Sequence, residues 1–381
     1  MYKVLIEEIV LTYTNSGEKI NMYAEIIGWG KCAPPAILTN DDIATFMETS
    51  DEWIFSRTGI KQRHISHVPC SELARVATER AIACAGIDPK KIDLIIFGSN
   101  TPDEMVPNCA SKVVNAVGAV NATGFDLNSA CTSFLYALNV GTDMIKAGSI
   151  KTAVVIGMEK TSRLMDWGKR DSAVLFGDGG GAVVLRATEK ELGLIDAKLN
   201  LVPNTREMLS LPGFGMDMAD DEYKTYYSSL NFDGQEIFKH AVRGMQDACN
   251  ELLSRTGVSQ NNIELFVPHQ ANRRIIETLA KRMKFDLDKV VICVDKYANT
   301  SAGTIPLALC DALEEGRITS GMTMLTASFG AGLTCGAGLI KWGERIVPIG
   351  ESEAELPLCE QTALEIIQPS IDSAKEQYKA K

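Results

Sequence analysis

Histidine is scarce in this chain: four residues among 381, at positions 64, 67, 240 and 269. Ten cysteines are present, yet none forms a Cys-x-x-Cys pair and their spacing has no framework. Both facts argue against a zinc site or a disulfide scaffold. No apolar run approaches eighteen residues, which argues against a membrane span. The first 21 residues carry Glu7 and Glu8 and lack the basic start and long apolar core of a secretory signal. Reduced thiols and a cytoplasmic setting are therefore expected. Positive charge is short as well: the formal net charge is -11, which disfavours nucleic acid as the main partner. What is present is globular material, 45% hydrophobic and 23% charged, enough for a sizeable core.

Helical and strand-like runs alternate. Ser71 to Ala85 places apolar residues at helical spacing, and Lys91 to Ser99 (KIDLIIFGS) reads as a buried strand. Cys84, Cys249 and Cys310 fall within helical apolar patterns and read as small buried hydrophobes. The pattern is α/β, with much of the sheet covered on both faces. It is also duplicated. The segment Gly257 to Val267 (GVSQNNIELFV) lies 171 residues after Gly86 to Ile96 (GIDPKKIDLII), and the same offset carries Asn128-Ser-Ala-Cys131 onto Asn299-Thr-Ser-Ala302. Two separate segments sharing one offset imply two similar halves, 22–186 and 187–342, packed as one body. An N-terminal extension (1–21) and a C-terminal extension (343–381) flank them. At this offset Cys131 has Ala302 as its counterpart, while His269 and Asn299 stand where the first half has Gly98 and Asn128. Such a scaffold suits divided roles, one half supplying a nucleophile and the other its partners.

Cys131 falls where a strand-like run gives way to a helical one, in DLNSACTSFLYAL (126–138). A thiol in a helix's first turn feels the positive end of the dipole and unpaired N–H groups, which favour thiolate. The same N–H groups can receive an oxyanion. On these grounds alone, nucleophile and buried structural thiol stand level. His269, in VPHQAN (267–272), follows a strand at the end where open α/β sheets place ligands. Capping of the next helix explains it equally well. Asn299 lies in a small-residue turn and by itself reads as a helix N-cap.

Together these stretches resemble a known family. Thr49 to Ile60 (TSDEWIFSRTGI), the Cys131 stretch, Phe176 to Ala182 (FGDGGGA), VPHQAN, Asn299-Thr-Ser301 and Phe329 to Gly336 (FGAGLTCG) occur in order between about Met22 and Trp342. That set is similar to β-ketoacyl-acyl-carrier-protein synthase III, the decarboxylating Claisen condensing enzyme of the thiolase superfamily. The resemblance implies a thiolase-like duplicated five-layer α-β-α-β-α fold, a homodimer, and no cofactor or metal. It implies that Cys131 takes an acyl group from acyl-CoA as a thioester. His269 and Asn299 would polarise the malonyl thioester on acyl carrier protein and stabilise the enolate formed with loss of carbon dioxide. The backbone N–H groups of Cys131 and Ala331 would make the oxyanion hole. Trp53 and Arg170 would sandwich the CoA adenine, with Arg57, Gly234, Phe238 and Ala271 along the same approach. Lys239 and Arg274 match the positions that dock the acidic carrier, whereas Arg243 and Arg273 read equally as solvated helix charges.

Departures from the family pattern matter too. Its usual start aligns with Met22, which leaves the natural start open between Met1 and Met22. Ala331 replaces a usual glycine, with little loss expected because the donor is backbone. Val106, in DEMVP (103–107), stands where acetyl-primed members place a bulky Phe that closes the acyl pocket across the dimer. A smaller side chain predicts a deeper pocket and a primer longer than acetyl. Two rivals are a specialised relative that primes or joins medium or long acyl chains for a secondary metabolite, and a non-catalytic acyl-CoA-binding member of the fold.

Overall fold

The computed structural model describes residues 21–212 and 230–379. The first half contributes β1 (Tyr23–Cys32), β2 (Ala36–Thr39), β3 (Gln62–Ile65), β4 (Leu94–Gly98), β5 (Thr123–Leu127), β6 (Thr152–Lys160) and β7 (Asp178–Thr188). Its helices are α1 (Asn40–Ala44), α2 (Asp51–Thr58), α3 (Cys70–Ala85), α4 (Cys109–Ala116), α5 (Ser133–Lys146) and α6 (Arg170–Ala173). The second half contributes β8 (Gly193–Leu201), β9 (Leu209–Ser210), β10 (Asn231–Phe232), β11 (Leu265–Pro268), β12 (Thr323–Gly330) and β13 (Thr334–Lys341). Its helices are α7 (Gly234–Thr256), α8 (Arg273–Arg282), α9 (Val294–Tyr297) and α10 (Thr304–Glu314), and α11 (Ala363–Lys379) follows.

Nine strands run in the order β11-β12-β13-β8-β1-β7-β6-β4-β5. The junction between β8 and β1 is a single residue pair, Ala24 with Gly193, so the array is two sheets joined at one point. Helices α5 and α10 pack between them, α3 and α4 cover the outer face of the first sheet, and α7 covers the second with α8 packed on it. This is the five-layer thiolase-like arrangement. The apolar runs fill its layers: Leu94, Ile96, Phe134, Leu138, Ile305 and Leu309 share the central core. Leu73, Val76, Ile95 and Phe97 join the outer core beneath α3. Burial on both faces explains why β4 is apolar throughout instead of alternating.

The repeat is geometrical as well as textual. Helices α3 and α7 both end on left-handed glycines, Gly86 (φ 63°) and Gly257 (φ 70°), which accept that conformation without a Cβ clash. The starts of α5 and α10, at Ser133 and Thr304, repeat the 171-residue offset, as do those of β6 and β12 at Thr152 and Thr323. The match fails at β5, whose counterpart in the second half is reduced to a bridge between Phe266 and Val290. Beyond Trp342 the chain crosses the outer face of α3. Ile349 N–H donates to the Cys84 carbonyl (3.0 Å), and Arg80 reaches the Ala354 carbonyl (3.0 Å). Helix α11 then brings the Tyr378 hydroxyl to the Asp166 carboxylate (2.8 Å). Among the described residues no helix is long and apolar enough to cross a membrane.

Candidate active site

Two sharp turns and one strand end converge on a cavity of about 830 Å³. The first turn follows β5. Ala130 adopts a left-handed conformation (φ 50°), and Cys131 comes next, two residues before α5 begins at Ser133. The expected placement inside the helix's first turn is therefore corrected: the thiol sits on the elbow ahead of it. Ser133 locks the elbow, its hydroxyl accepting from Ser129 N–H (2.8 Å) and donating to the Ala130 carbonyl (2.6 Å). The second turn carries left-handed Ala298 (φ 57°) and Ser301 (φ 51°) around Asn299. Asn299 Oδ1 accepts from Ser301 N–H (2.8 Å), which leaves its NH₂ end as the donor the cavity can use. Capping and a site role thus fall to opposite ends of one amide. His269 follows β11, its N–H donating to the Ala327 carbonyl (2.8 Å). Its Nδ1 is tied to Thr304 Oγ1 (2.6 Å), so Nε2 is the ring nitrogen left for a ligand.

Desolvation dominates the electrostatics. Burial pushes the Cys131 thiol up to about 12, with the Glu159 carboxyl adding to the rise and a hydrogen bond from Ser301 opposing it. The expectation of a lowered thiol is overturned. Burial likewise holds His269 down to about 3, so its imidazole is neutral. A neutral imidazole can donate to a developing oxyanion but is a weak base.

Cys131, His269, Asn299, Trp53, Arg57, Gly234, Phe238, Ala271 and Arg274 all line this cavity. Arg170 is brought to it indirectly. Its guanidinium carbon stacks 4.4 Å from the Trp53 ring centre, Arg57 stacks at 4.5 Å, and Arg170 donates to the Glu48 carbonyl (2.7 Å). An adenine between Trp53 and Arg170 needs about 7 Å, so the expected slot is closed here and a ligand must displace Arg170. Besides Arg170, three expected residues lie outside the lining. Ala331 gives way to Phe329 and Gly330 as the wall beside Cys131. A Cβ on Gly330 would stand 2.8 Å from Cys131 N. Val106 is 80% exposed on its own loop. Lys239 projects from α7 and pairs with Glu236 (2.6 Å).

Sequence reasoning passed over Glu159, which is completely buried behind Cys131, and assigned nothing to Ser301 or Thr304. The signal for Glu159 was an acidic side chain inside the apolar strand TAVVIGMEK. Among the described residues no group of three His, Cys, Asp or Glu could hold a metal ion.

A half-buried thiol, a neutral imidazole and an amide donor, set on the two turns and one strand end of a duplicated five-layer fold, define a thiolase-like condensing enzyme. Comparison with known proteins narrows this. Residues 125–201 match the family model described as 3-oxoacyl-[acyl-carrier-protein] synthase III, and 253–342 match that of its C-terminal part. A β-ketoacyl-[acyl-carrier-protein] synthase III 2 of Vibrio cholerae is 51% identical over 353 residues, covering 93% of this chain and 98% of its own. The solved 3-oxoacyl-[acyl-carrier-protein] synthase III of Aquifex aeolicus superposes with a TM-score of 0.79 at 38% identity, covering 84% of this chain and 100% of that one. The priming β-ketosynthase of the R1128 polyketide pathway superposes at 0.80 with 28% identity, covering 85% and 97%. The chain belongs to the β-ketoacyl-[acyl-carrier-protein] synthase III family and is a condensing acyltransferase.

Proposed function

We propose that the chain condenses an acyl-CoA primer with malonyl-acyl carrier protein in fatty acid biosynthesis, through an acyl thioester on Cys131. The convergence of Cys131, His269 and Asn299 on one cavity carries this reading. Cys131 Sγ attacks the primer carbonyl, whose oxyanion is held by the Cys131 N–H with a second N–H from the loop 329–332, Ala331 by resemblance. Coenzyme A leaves. His269 Nε2 and the Asn299 NH₂ then donate to the malonyl thioester oxygen as carbon dioxide departs. The carbanion attacks acyl-Cys131, releasing β-ketoacyl carrier. The labour divides between halves 22–186 and 187–342, with 1–21 and 343–381 as extensions.

The mouth fits this use. Trp53, Arg57 and Arg170 would receive the CoA adenine, with Gly234, Phe238 and Ala271 along the way. Arg274 and Lys239 would meet the acidic carrier, Lys239 exchanging its Glu236 partner for carrier carboxylates. A cytoplasmic homodimer places Val106 at the partner's acyl pocket, and its exposure in the single chain supports that placement. Its small side chain favours a primer longer than acetyl. The same feature, with the likeness to a priming ketosynthase, supports a second reading: priming of medium or long acyl chains for a secondary metabolite. Condensation assays with malonyl-carrier and acyl-CoA primers of two to about twelve carbons test both. Equal or better turnover of acetyl-CoA than of octanoyl-CoA overturns the chain-length reading. Absence of acyl mass on the Cys131 peptide after incubation with acyl-CoA leaves only a binding protein.

A further inference from the structure

Beyond the two halves, helix α11 closes against the segment that leads to Arg170. Its apolar residues recur at helical spacing, and Ala363, Ile367, Ile371 and Ala374 are buried. Ile367 and Ile371 join the core that holds Leu38, Ile54, Ile65 and Trp167, and the helix packs on β2, β3 and residues 161–164. This burial fixes where the last turn of α11 stands, and there Tyr378 meets the turn 166–169. The Tyr378 hydroxyl donates to Asp166 Oδ2 (2.8 Å), while Asp166 Oδ1 accepts from Gly168 N–H (3.0 Å). Asp166 is 5% exposed, so its carboxylate depends on protein donors. Gly168 lies against the Tyr378 ring, where a Cβ would overlap Cε2 and Cδ2.

From that turn the hydrogen bonds run on toward the cavity. Lys169 N–H donates to the Asp166 carbonyl (2.9 Å), and the Lys169 carbonyl accepts from Ala173 N–H (3.0 Å), which starts α6. Arg170 is the first residue of α6, its guanidinium on the Trp53 ring, and Asp171 and Val174 line the cavity. We propose that Tyr378 is a positioning residue for the acyl-CoA site: through Asp166 and Gly168 it holds the backbone from which Arg170 reaches the nucleotide. The C-terminal extension is then part of primer binding. Tyr378 touches neither substrate nor reacting atoms and acts through Arg170. The inference rests on the reading of Trp53 and Arg170 as the adenine site.

Arg170 must leave the Trp53 face before an adenine can enter. With the backbone already held, only its side chain has to move, and binding does not also have to order the turn. Trp167 does not supply this by itself. Its buried ring stands edge-on to Phe46 (6.1 Å between centres), with Nε1 donating to the Ser162 carbonyl (3.2 Å). Those contacts hold the residue between Asp166 and Gly168; Tyr378 holds the two that flank it. The Tyr378 ring is 45% exposed, so deleting its hydroxyl leaves the packed face of α11 intact.

The test compares two primers on the full chain: octanoyl-CoA, and the octanoyl thioester of N-acetylcysteamine, which lacks the nucleotide. Acylation of Cys131, followed by intact mass at varied primer, gives a half-saturating concentration and a limiting rate for each. Tyr378→Phe should raise the half-saturating octanoyl-CoA by about 3- to 10-fold, the range of one lost hydrogen bond, at an unchanged limiting rate. Acylation by the nucleotide-free thioester should not change. Gly168→Ala, which pushes the ring off the turn, should have the same effect. In an Arg170→Ala background Tyr378→Phe should add nothing further. An equal change with both primers would make Tyr378 a scaffold residue and overturn the proposal. No change with either would show that Trp167 holds the turn unaided, and effects that add to Arg170→Ala would show a route other than Arg170; both overturn it equally. A wild type that acylates alike from both primers, or from neither, fails the adenine or the acyl-enzyme reading instead and takes the inference with it.

Discussion

The two elbows of this molecule share a backbone and differ in what faces it. Ala130 and Ser301, 171 residues apart, hold φ near 50°, and each precedes the start of a central helix by three residues. At the second elbow the N–H of Ala302 points toward the Glu159 carboxylate. At the first, the residue 171 positions after Glu159 is Gly330, and a Cβ there would collide with Cys131 N. One copy of the motif has its anion built in; on the proposed mechanism the other would leave that place for the anion a substrate develops. On that reading, a glycine opposite a glutamate distinguishes the two N–H cradles.

The largest break in this comparison is Cys131→Ala, which gives the first elbow the side chain of the second. Acylation and condensation should both vanish, measured as acyl mass and β-ketoacyl product. Next come the second half's contributions. His269→Ala or Asn299→Ala should leave acylation largely intact and suppress malonyl decarboxylation by about 100- to 1000-fold, followed as released carbon dioxide. Equal loss of both steps would refute the division of labour. Gly330→Ala partly refills the first cradle. Because the obstructed atom is backbone and cannot swing away, acylation should fall by at least about 100-fold with the fold intact by circular dichroism.

A smaller effect concerns stability. Burial raises Glu159 from 4.5 to about 7, so the folded chain binds that proton more tightly than the unfolded chain. The resulting stability is complete below pH about 4.5 and is lost as pH rises through about 7. Relative to Glu159→Gln, the wild type should lose about 3 kcal/mol between pH 4.5 and 8 in urea titrations. A flat difference would mean that the carboxyl is ionised throughout, its hydrogen bonds having outweighed desolvation.

The offset of 171 made the duplication legible, and the order of six short motifs made the candidate trio Cys131, His269 and Asn299 legible, because both are written in local sequence. Glu159 was not legible in the same way. An acid in an apolar strand is visible, but only the folded chain shows that it faces Ser301 and Ala302, residues more than 140 positions away. The Cys131 thiol was misread for a related reason: the helix start is local, whereas the packing that desolvates the sulfur comes from both halves. Arg170 matches the family's adenine-stacking position, yet its collapse onto Trp53 depends on α2 and α6 meeting. The path of residues 343–362 over α3 left no periodic signal, since an extended strap held by Arg80 and the Cys84 carbonyl needs no repeating pattern.

The gentlest change tests whether the elbows matter as shapes. A left-handed alanine costs about 1–2 kcal/mol relative to an unstrained residue, which Ala130→Gly would relieve. Glycine also gives the unfolded chain more freedom, worth about 0.4–1 kcal/mol in the opposite sense. The two nearly cancel, so the net change in stability should stay within about 1 kcal/mol. Acylation should nonetheless slow several-fold, because the elbow that fixes Cys131 opposite Gly330 would no longer be confined to one conformation. The matching change at the other elbow, Ser301→Gly, should cost about 1–3 kcal/mol more, because it leaves Asn100 Nδ2 without the hydroxyl it donates to. If Ala130→Gly acylated at the wild-type rate, the shape of the first elbow would not matter, and the functional difference between the elbows would reduce to Cys131 and Gly330.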